Sequence, residues 1–298
     1  MKEINLVAGF DPENPLNDDL ERAANAVGWK LNRITHVEPE KIRKGELEDV
    51  FPDNILWRRE LDGNTQEEND MVWEWLDRNE KTTINTHVVG GRIRPVDKYF
   101  QQELYAKDEA LHNFAVPSFV VGNVSELAKL LEEKKIDFPF VLKPRYGSLG
   151  KDIIYISDMR DMLVKVAGLN NLESMTVEPY IDSDYDWRVF VIDGKAIGVM
   201  RKEGNKDNPL DFEAKSAGWQ KWNEEEPEIR DETMRLAEAA ARVLNLEYAG
   251  VDIIRDKRAR KYYVLETNLS AGWYNGFSEV TGADVAGALV EYFVKREK

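Results

Sequence analysis

Phe138-Pro139-Phe140-Val141-Leu142-Lys143-Pro144-Arg145-Tyr146-Gly147-Ser148-Leu149-Gly150-Lys151-Asp152-Ile153-Ile154 is the stretch on which the reading of this chain turns. Phe140, Val141 and Leu142 form a buried strand that delivers Lys143 at its end. Pro144 stops the strand, a loop carrying Gly147 and Gly150 follows, and a second apolar strand begins at Ile153. Glycines let backbone N–H groups approach oxygens closely, and Lys143 and Lys151 supply charge, so the unit suits a lid over phosphates. An ordinary hairpin with a polar loop would look the same, and this stretch alone leaves both open.

A second hairpin lies more than a hundred residues downstream. Asp252 interrupts the apolar strand Val251, Ile253, Ile254, and Glu266 and Asn268 share one face of the returning strand. The connecting turn, Asp256–Lys261, is short, so Asp252 is expected nearly opposite Glu266. Two carboxylates that close repel unless a cation or proton lies between them. With the Asn268 amide they make an oxygen-rich set suited to Mg2+, which pairs protein carboxylates with substrate phosphates. The competing reading is a polar face turned to water. Upstream, Lys98 opens a helix at Val96-Asp97-Lys98, where it could face a phosphate from the side opposite Lys143, or simply lie on the surface. Glu178-Pro179-Tyr180-Ile181 ends a strand with a proline. That leaves backbone groups free to bond an adenine edge, or marks a linker.

Around these signals the chain alternates strand and helix. Strands are expected at Ile4–Phe10, Leu31–Ile34, Asn54–Arg58 and Thr82–Val88, with helices from Asp18 and over Glu67–Asn79. That pattern predicts a small parallel-sheet domain over residues 1–92, closed by Gly90-Gly91 and Pro95. A helix over Val96–Phe114, a strand over Pro117–Val121, a helix over Ser125–Lys135 and the Lys143 unit make a second block, 93–183. A third, 184–298, opens with strands Trp187–Ile192 and Lys195–Arg201 joined by Asp193-Gly194, a strong hairpin turn. It continues through a polar loop at Glu203–Asn223, helix Asp231–Leu244, the Asp252 hairpin and a closing helix, Asp284–Lys295. The fold class is therefore mixed α/β.

Composition narrows the function. The 298 residues hold no cysteine, which excludes disulfides, thiolate catalysis and Cys-ligated zinc. The net charge of −15 argues against nucleic acid as a partner and mildly favours amine-bearing ones. No window approaches a transmembrane span, and Met1–Phe10 reads as a first strand rather than a leader, so no membrane partner and a cytoplasmic location are expected. A Walker A loop fails because Arg145 stands where its first glycine is required and Asp152 follows Lys151. GxGxxG, a kinase catalytic loop and a GxSxG elbow are absent. His36, His87 and His112 have no metal-ligand spacing.

Taken in order, Val96-Asp97-Lys98, the Phe138–Gly150 unit, Glu178–Ile181, Tyr185-Asp186-Trp187-Arg188 through Gly194, Ala249-Gly250-Val251-Asp252, Leu265-Glu266-Thr267-Asn268 and the closing Val280–Val290 resemble the ATP-grasp superfamily. Within it they are similar to RimK-type carboxylate–amine ligases, notably glutamate ligases and the lysine-biosynthesis carrier-protein ligases. The resemblance implies an ATP-grasp fold of two α+β lobes behind an N-terminal parallel-sheet domain. It also implies ATP and Mg2+ (or Mn2+) as cofactors, and an acyl-phosphate that an amine converts to an amide. By position it implies that Lys98 and Lys143 hold phosphates, Gly147, Ser148 and Gly150 form the lid, and Glu178, Pro179, Tyr180 and Ile181 read adenine. Asp186 would then meet the ribose, Asp252, Glu266 and Asn268 the metal, and Arg188 and Arg201 the acyl-phosphate and oxyanion. Two stretches depart from the family pattern: Lys215 stands where an asparagine is usual, and Ser270–Gly276, with Trp273, is longer and more aromatic. Both fall where an acceptor should lie.

The expected partners are a small-molecule or peptide carboxylate donor and an amine acceptor. Relatives commonly associate, so a homo-oligomer is an open expectation, although core packing is the simpler use of Trp29, Trp57, Trp73 and Trp75. Two alternatives remain beside amide ligation: macrocyclisation of a precursor peptide by the same chemistry, and a nucleotide-binding regulator without turnover.

Overall fold

Three separate sheets organise the computed structural model, which describes residues 2–7, 15–57, 61–81, 83–85, 97–147, 150–169, 171–183, 185–203, 210, 226–269, 271–273 and 277–296. The first sheet is parallel, in the order β2-β1-β3-β4 (Lys30–Ile34, Glu3–Val7, Ile55–Trp57, Thr83–Ile84). Helices α1 (Pro15–Ala26), α2 (Pro39–Lys44) and α3 (Gln66–Arg78) connect its strands, as parallel pairing requires. Helix α3 starts on a capping box in which the Thr65 hydroxyl and Glu68 carboxylate each accept the other's backbone N–H. Helix α2 has no counterpart in the sequence reading. It is one short turn started by Pro39 and stopped by Gly45 in the left-handed region, too brief to show a period.

The second sheet is antiparallel, β6-β5-β7 (Ile154–Ile156, Phe140–Pro144, Met175–Pro179), and carries the glycine loop. Leu142, Phe140, Val177 and Ile156 join Leu127 of α5 (Val124–Glu132) and Met162 of α6 (Met159–Val166) in a core of their own. The strand expected over Pro117–Val121 is only an isolated bridge, Phe119 to Val177.

The third sheet, β11-β10-β8-β9 (Tyr262–Asn268, Tyr248–Arg255, Tyr185–Ile192, Lys195–Glu203), is antiparallel throughout. One face, with Trp187, Val189, Val191, Val199, Ala249, Val251 and Ile253, packs on helix α7 (Pro227–Val243). The other face divides in two. Its apolar part, Phe190, Met200 and Tyr248, shares one core with the N-terminal sheet residues Ile4 and Leu6, with Phe277 of α8 (Phe277–Thr281) and with α9 (Val285–Arg296). Its polar part is described below.

Asn85 fastens the N-terminal sheet to this third sheet. Its side chain donates to the carbonyls of Tyr248 and Leu269 and accepts the Tyr248 N–H. Trp29, Trp57, Trp73 and Trp75 are all buried in cores, the simpler of the two uses expected for them.

Helix α4 (Lys98–Lys107) is shorter than the sequence pattern indicates. The Asp108 carboxylate accepts the Ala110 N–H, a local turn that competes with further helix. Two glutamines of α4 cover the open edge of β11. Gln101 donates to the Thr267 carbonyl and accepts the Thr267 N–H, as a neighbouring strand would. Gln102 donates to the carbonyls of Val264 and Leu265 and accepts the Val116 N–H. Both are almost fully buried. So α4, read as part of the 93–183 block, is bonded to the strand that bears Glu266.

Candidate active site

The polar half of the third sheet follows from its register. Asp252 of β10 lies opposite Arg188 of β8 on one side and Glu266 of β11 on the other. Gly250, two residues before Asp252, leaves room for the Arg188 stem to cross: a Cβ there would stand 3.2 Å from Arg188 Cδ. Arg188 then grips Asp252 with both prongs, Nε to Oδ1 at 2.5 Å and Nη2 to Oδ2 at 2.6 Å.

The next cation is Lys202, not Arg201. A plain hairpin closed by Asp193-Gly194 would set Arg201 opposite Asp186, on the Arg188 face. A bulge after Phe190 shifts the pairing by one, so Trp187 faces Arg201 and Asp186 faces Lys202. Arg201 is therefore on the Trp187 side of the sheet, away from Arg188. Lys202 Nζ, 3% exposed as a residue, lies 3.0 Å from Asp252 Oδ1 and 3.3 Å from Asp186 Oδ2. Asp186, expected beside a ribose, is in this structure a partner of Lys202.

Burial sets the electrostatics here. It works to raise the Asp252 carboxyl, but Arg188 and Lys202 outweigh it and hold the group down at about 2. At Asp186 burial outweighs the Lys202 ammonium and the Asp252 charge adds to it, so that carboxyl is pushed up. Burial also works to lower the Lys202 ammonium, and Asp186 and Asp252 reverse that, so the proton is held more tightly than usual.

Glu266 and Asn268 complete the cluster. The Asn268 amide donates to Asp252 Oδ2 at 3.3 Å and Glu266 Oε1 at 3.0 Å. Glu266 Oε2 lies 3.4 Å from Lys98 Nζ, which also donates to the Gly147 carbonyl at 2.6 Å. Lys98 thus joins the carboxylate hairpin to the glycine loop. Gly147 and Gly150 both have positive φ, 118° and 69°, where a side chain would be strained. Ser148 and Lys215 lie outside the described residues.

Lys143 projects from β5 toward β7 and meets Glu178 Oε2 at 2.7 Å. Glu178 is buried and also accepts from the hydroxyls of Ser118 and Thr176. Its side chain thus fixes the lysine. The Tyr180 N–H bonds the Pro139 carbonyl, Tyr155 packs edge-on against the Tyr180 ring at 5.0 Å, and Ile181 is buried.

Trp273 does not reach this cleft. It is buried against Tyr248, its Nε1 3.4 Å from Asp19 Oδ2. That places Trp273 in the joint with the N-terminal sheet, while Ser270 and residues 274–276 of the aromatic loop lie outside the described residues.

By type, two carboxylates and an amide are donors that suit a hard divalent cation, and in this structure Asp252 is taken up by Arg188, Lys202 and Asn268. Among the described residues no three His, Cys, Asp or Glu side chains are grouped to hold a metal, but two carboxylates and an amide converge. Mg2+ typically takes one or two protein carboxylates and completes its shell with phosphate oxygens and water. Three residues were not foreseen: Gln101, Gln102 and Lys202. Only Lys202 left a signal, as the second of two adjacent cations ending a strand.

A model of the RimK-like ATP-grasp domain matches residues 96–293. The chain is 29% identical over 166 residues to the tetrahydromethanopterin:alpha-L-glutamate ligase of Methanocaldococcus jannaschii, covering 53% of this chain and 54% of that protein. It is 28% identical over 206 residues to a probable alpha-L-glutamate ligase of Shewanella halifaxensis, covering 68% and 42% respectively. The chain thus spans about half or less of the length of these relatives. Among solved structures, the ATP-grasp ligase PsnB complexed with a minimal precursor has a TM-score of 0.66 at 16% identity, over 99% of this chain and 100% of that one. The D-alanine–D-alanine ligase of Bacillus anthracis has a TM-score of 0.64 at 17% identity, over 99% and 97%. At those identities the likeness is one of fold. No helix among the described residues is long and apolar enough to cross a membrane.

Proposed function

The chain belongs to the RimK-like ATP-grasp family, and from that premise we propose that it is an ATP- and Mg2+-dependent ligase that joins a carboxylate to an amine. The observation that carries this reading is Lys98, which touches both the glycine-loop carbonyl of Gly147 and the Glu266 carboxylate. A triphosphate between those two elements would meet Lys98 from one side and Lys143 from the other. The hinge from Glu178 to Ile181 would seat the adenine, while Asp186, held by Lys202, would be left to that pair rather than to the ribose.

The substrate carboxylate attacks the γ-phosphorus of ATP, giving an acyl-phosphate and ADP. The amine then adds to the acyl carbon, and the tetrahedral intermediate expels inorganic phosphate and loses a proton, leaving an amide. Neither step needs a covalent protein nucleophile; both need charge neutralisation and position. Arg188 is the fixed cation nearest Asp252, with Lys202 beside it, and we assign these two to the acyl-phosphate and oxyanion in place of Arg188 with Arg201. Asp252, Glu266 and Asn268 would hold Mg2+, which offsets phosphate charge during transfer. Lys215, placed by sequence near the acceptor, would add a cation to the substrate's side.

Relatives carry names as glutamate ligases, which supports an amino acid, peptide or protein tail as substrate. An ATP-consuming enzyme of this kind would work in the cytoplasm. The test is ADP release from MgATP across a panel of amino acids and acidic peptides, each offered with and without an added amine. The expected result is ADP release that depends on one carboxylate class and stops in Arg188→Ala. ATP binding with no substrate-dependent ADP release would favour a regulator instead.

A further inference from the structure

We propose that Asp97 and Arg145 form a positioning pair that holds the Lys98 ammonium between the glycine loop and the carboxylate hairpin. The role for Lys98 rests on the phosphate-binding function above; its placement does not.

Lys98 lies on α4, which Gln101 and Gln102 bond to β11. Gly147 lies on the loop leaving β5, in the other lobe. Something must register the two if one ammonium is to reach both. Asp97 does so. It is 1% exposed and caps α4 by accepting the N–H groups of Tyr99 and Phe100. The same carboxylate accepts Arg145 Nε at 3.2 Å, Arg145 Nη2 at 2.5 Å and the Tyr146 hydroxyl at 3.2 Å. Main-chain bonds run alongside: the Lys98 N–H donates to the Arg145 carbonyl, and the Arg145 N–H to the Ser174 carbonyl. The guanidinium also lies over the rings of Tyr99 and Tyr146, 5.7 and 5.9 Å from their centroids. A forked guanidinium on a buried carboxylate fixes direction as well as distance. The residue after Asp97 and the second residue after Arg145 are the two that meet in the Lys98–Gly147 bond.

Reactivity of Lys98 in the nucleotide-free protein reads this placement directly. The wild type, Asp97→Asn, Arg145→Gln, Arg145→Lys and the Asp97→Asn/Arg145→Gln double variant are labelled with a limiting acylating reagent. Lysine occupancies are measured by mass spectrometry, with Lys44 on α2 as a remote control. Asn at 97 can still cap the helix, so the variant removes charge rather than the cap. Lys98 labelling should rise on the order of tenfold in each of the Asn and Gln variants, as expected when a charge-assisted pair no longer holds a donor. It should rise less in Arg145→Lys, and no more in the double variant than in the stronger single one, because the two residues act as one unit. Unchanged Lys98 labelling would overturn the proposal, as would a parallel rise at Lys44, which would mark a general folding role. Calorimetric titration of the same proteins with MgATP separates the two claims. If the wild type does not bind MgATP, the functional reading fails while the labelling result for the pair stands.

Discussion

Replacing Lys202 with methionine isolates the charge that the sheet register brings to the site. Lys202 is buried between Asp186 and Asp252, at 3.3 and 3.0 Å. Methionine fills a similar volume without the ammonium. Asp252 keeps its two-pronged bond to Arg188, so the loss falls on Asp186, whose carboxyl burial already pushes up. Removing one partner of a buried pair costs ~3–5 kcal/mol. In a chain of 298 residues that corresponds to a fall in Tm of roughly 5–8 °C near neutral pH. The sign of the pH dependence follows from Asp186. A carboxyl whose folded pKa is raised destabilises the fold where it must be charged, above that pKa, and the penalty disappears as it takes a proton. Without Lys202 its pKa rises further, so the Tm gap between variant and wild type should narrow from about pH 8 to about pH 5. Asp186→Asn added to Lys202→Met should recover most of the gap at the higher pH. Differential scanning calorimetry across that range reads both. A gap of constant size, or no recovery in the double variant, would refute the argument that Lys202 offsets Asp186.

Gly250→Ala should damage the site from within the sheet. The added Cβ would stand 2.3 Å from Ala271 Cβ and 3.2 Å from Arg188 Cδ, so a cost of about 1–3 kcal/mol is expected, with ADP-forming turnover falling further than MgATP affinity. Asn85→Ala should loosen the N-terminal sheet from the third sheet, because it removes three buried bonds, to the Tyr248 N–H and to the carbonyls of Tyr248 and Leu269. A loss of about 3 kcal/mol in denaturant unfolding, with MgATP affinity kept, is the expected outcome. Asp252, held down at about 2, contributes stability that is present above its unfolded pKa and lost as pH falls through about 2. An acid titration of Arg188→Met followed by circular dichroism should therefore unfold at higher pH than the wild type.

The parts of this site that could be read from the chain are those written in local pattern. Asp252 stands out because it interrupts an apolar strand, and the short turn after it sets Glu266 opposite, as the pairing has it. The Lys143 loop is legible because two glycines follow a strand that ends in a proline, and both take positive φ. What was hidden depends on tertiary register. One bulge at Phe190 moves Lys202 into the place a plain hairpin gives Arg201, and no propensity marks a bulge in Lys195-Ala196-Ile197-Gly198. Gln101 and Gln102 look like the wet side of an amphipathic helix, and only the open edge of β11 makes them buried strand mimics. Trp273 reads as an aromatic beside the acceptor until its packing with the N-terminal sheet puts it in a core. The order of the motifs was enough for the fold; the identity of the second cation needed the ladder.

Isotope transfer tests the central claim most directly. Once the panel identifies an accepted carboxylate, that substrate is prepared with 18O in its carboxyl group, turned over with MgATP and an amine, and the inorganic phosphate is analysed by mass spectrometry. Attack on the γ-phosphorus through a substrate oxygen predicts one 18O in each phosphate released, together with ADP. Unlabelled phosphate, or AMP with pyrophosphate in place of ADP, would contradict the acyl-phosphate route.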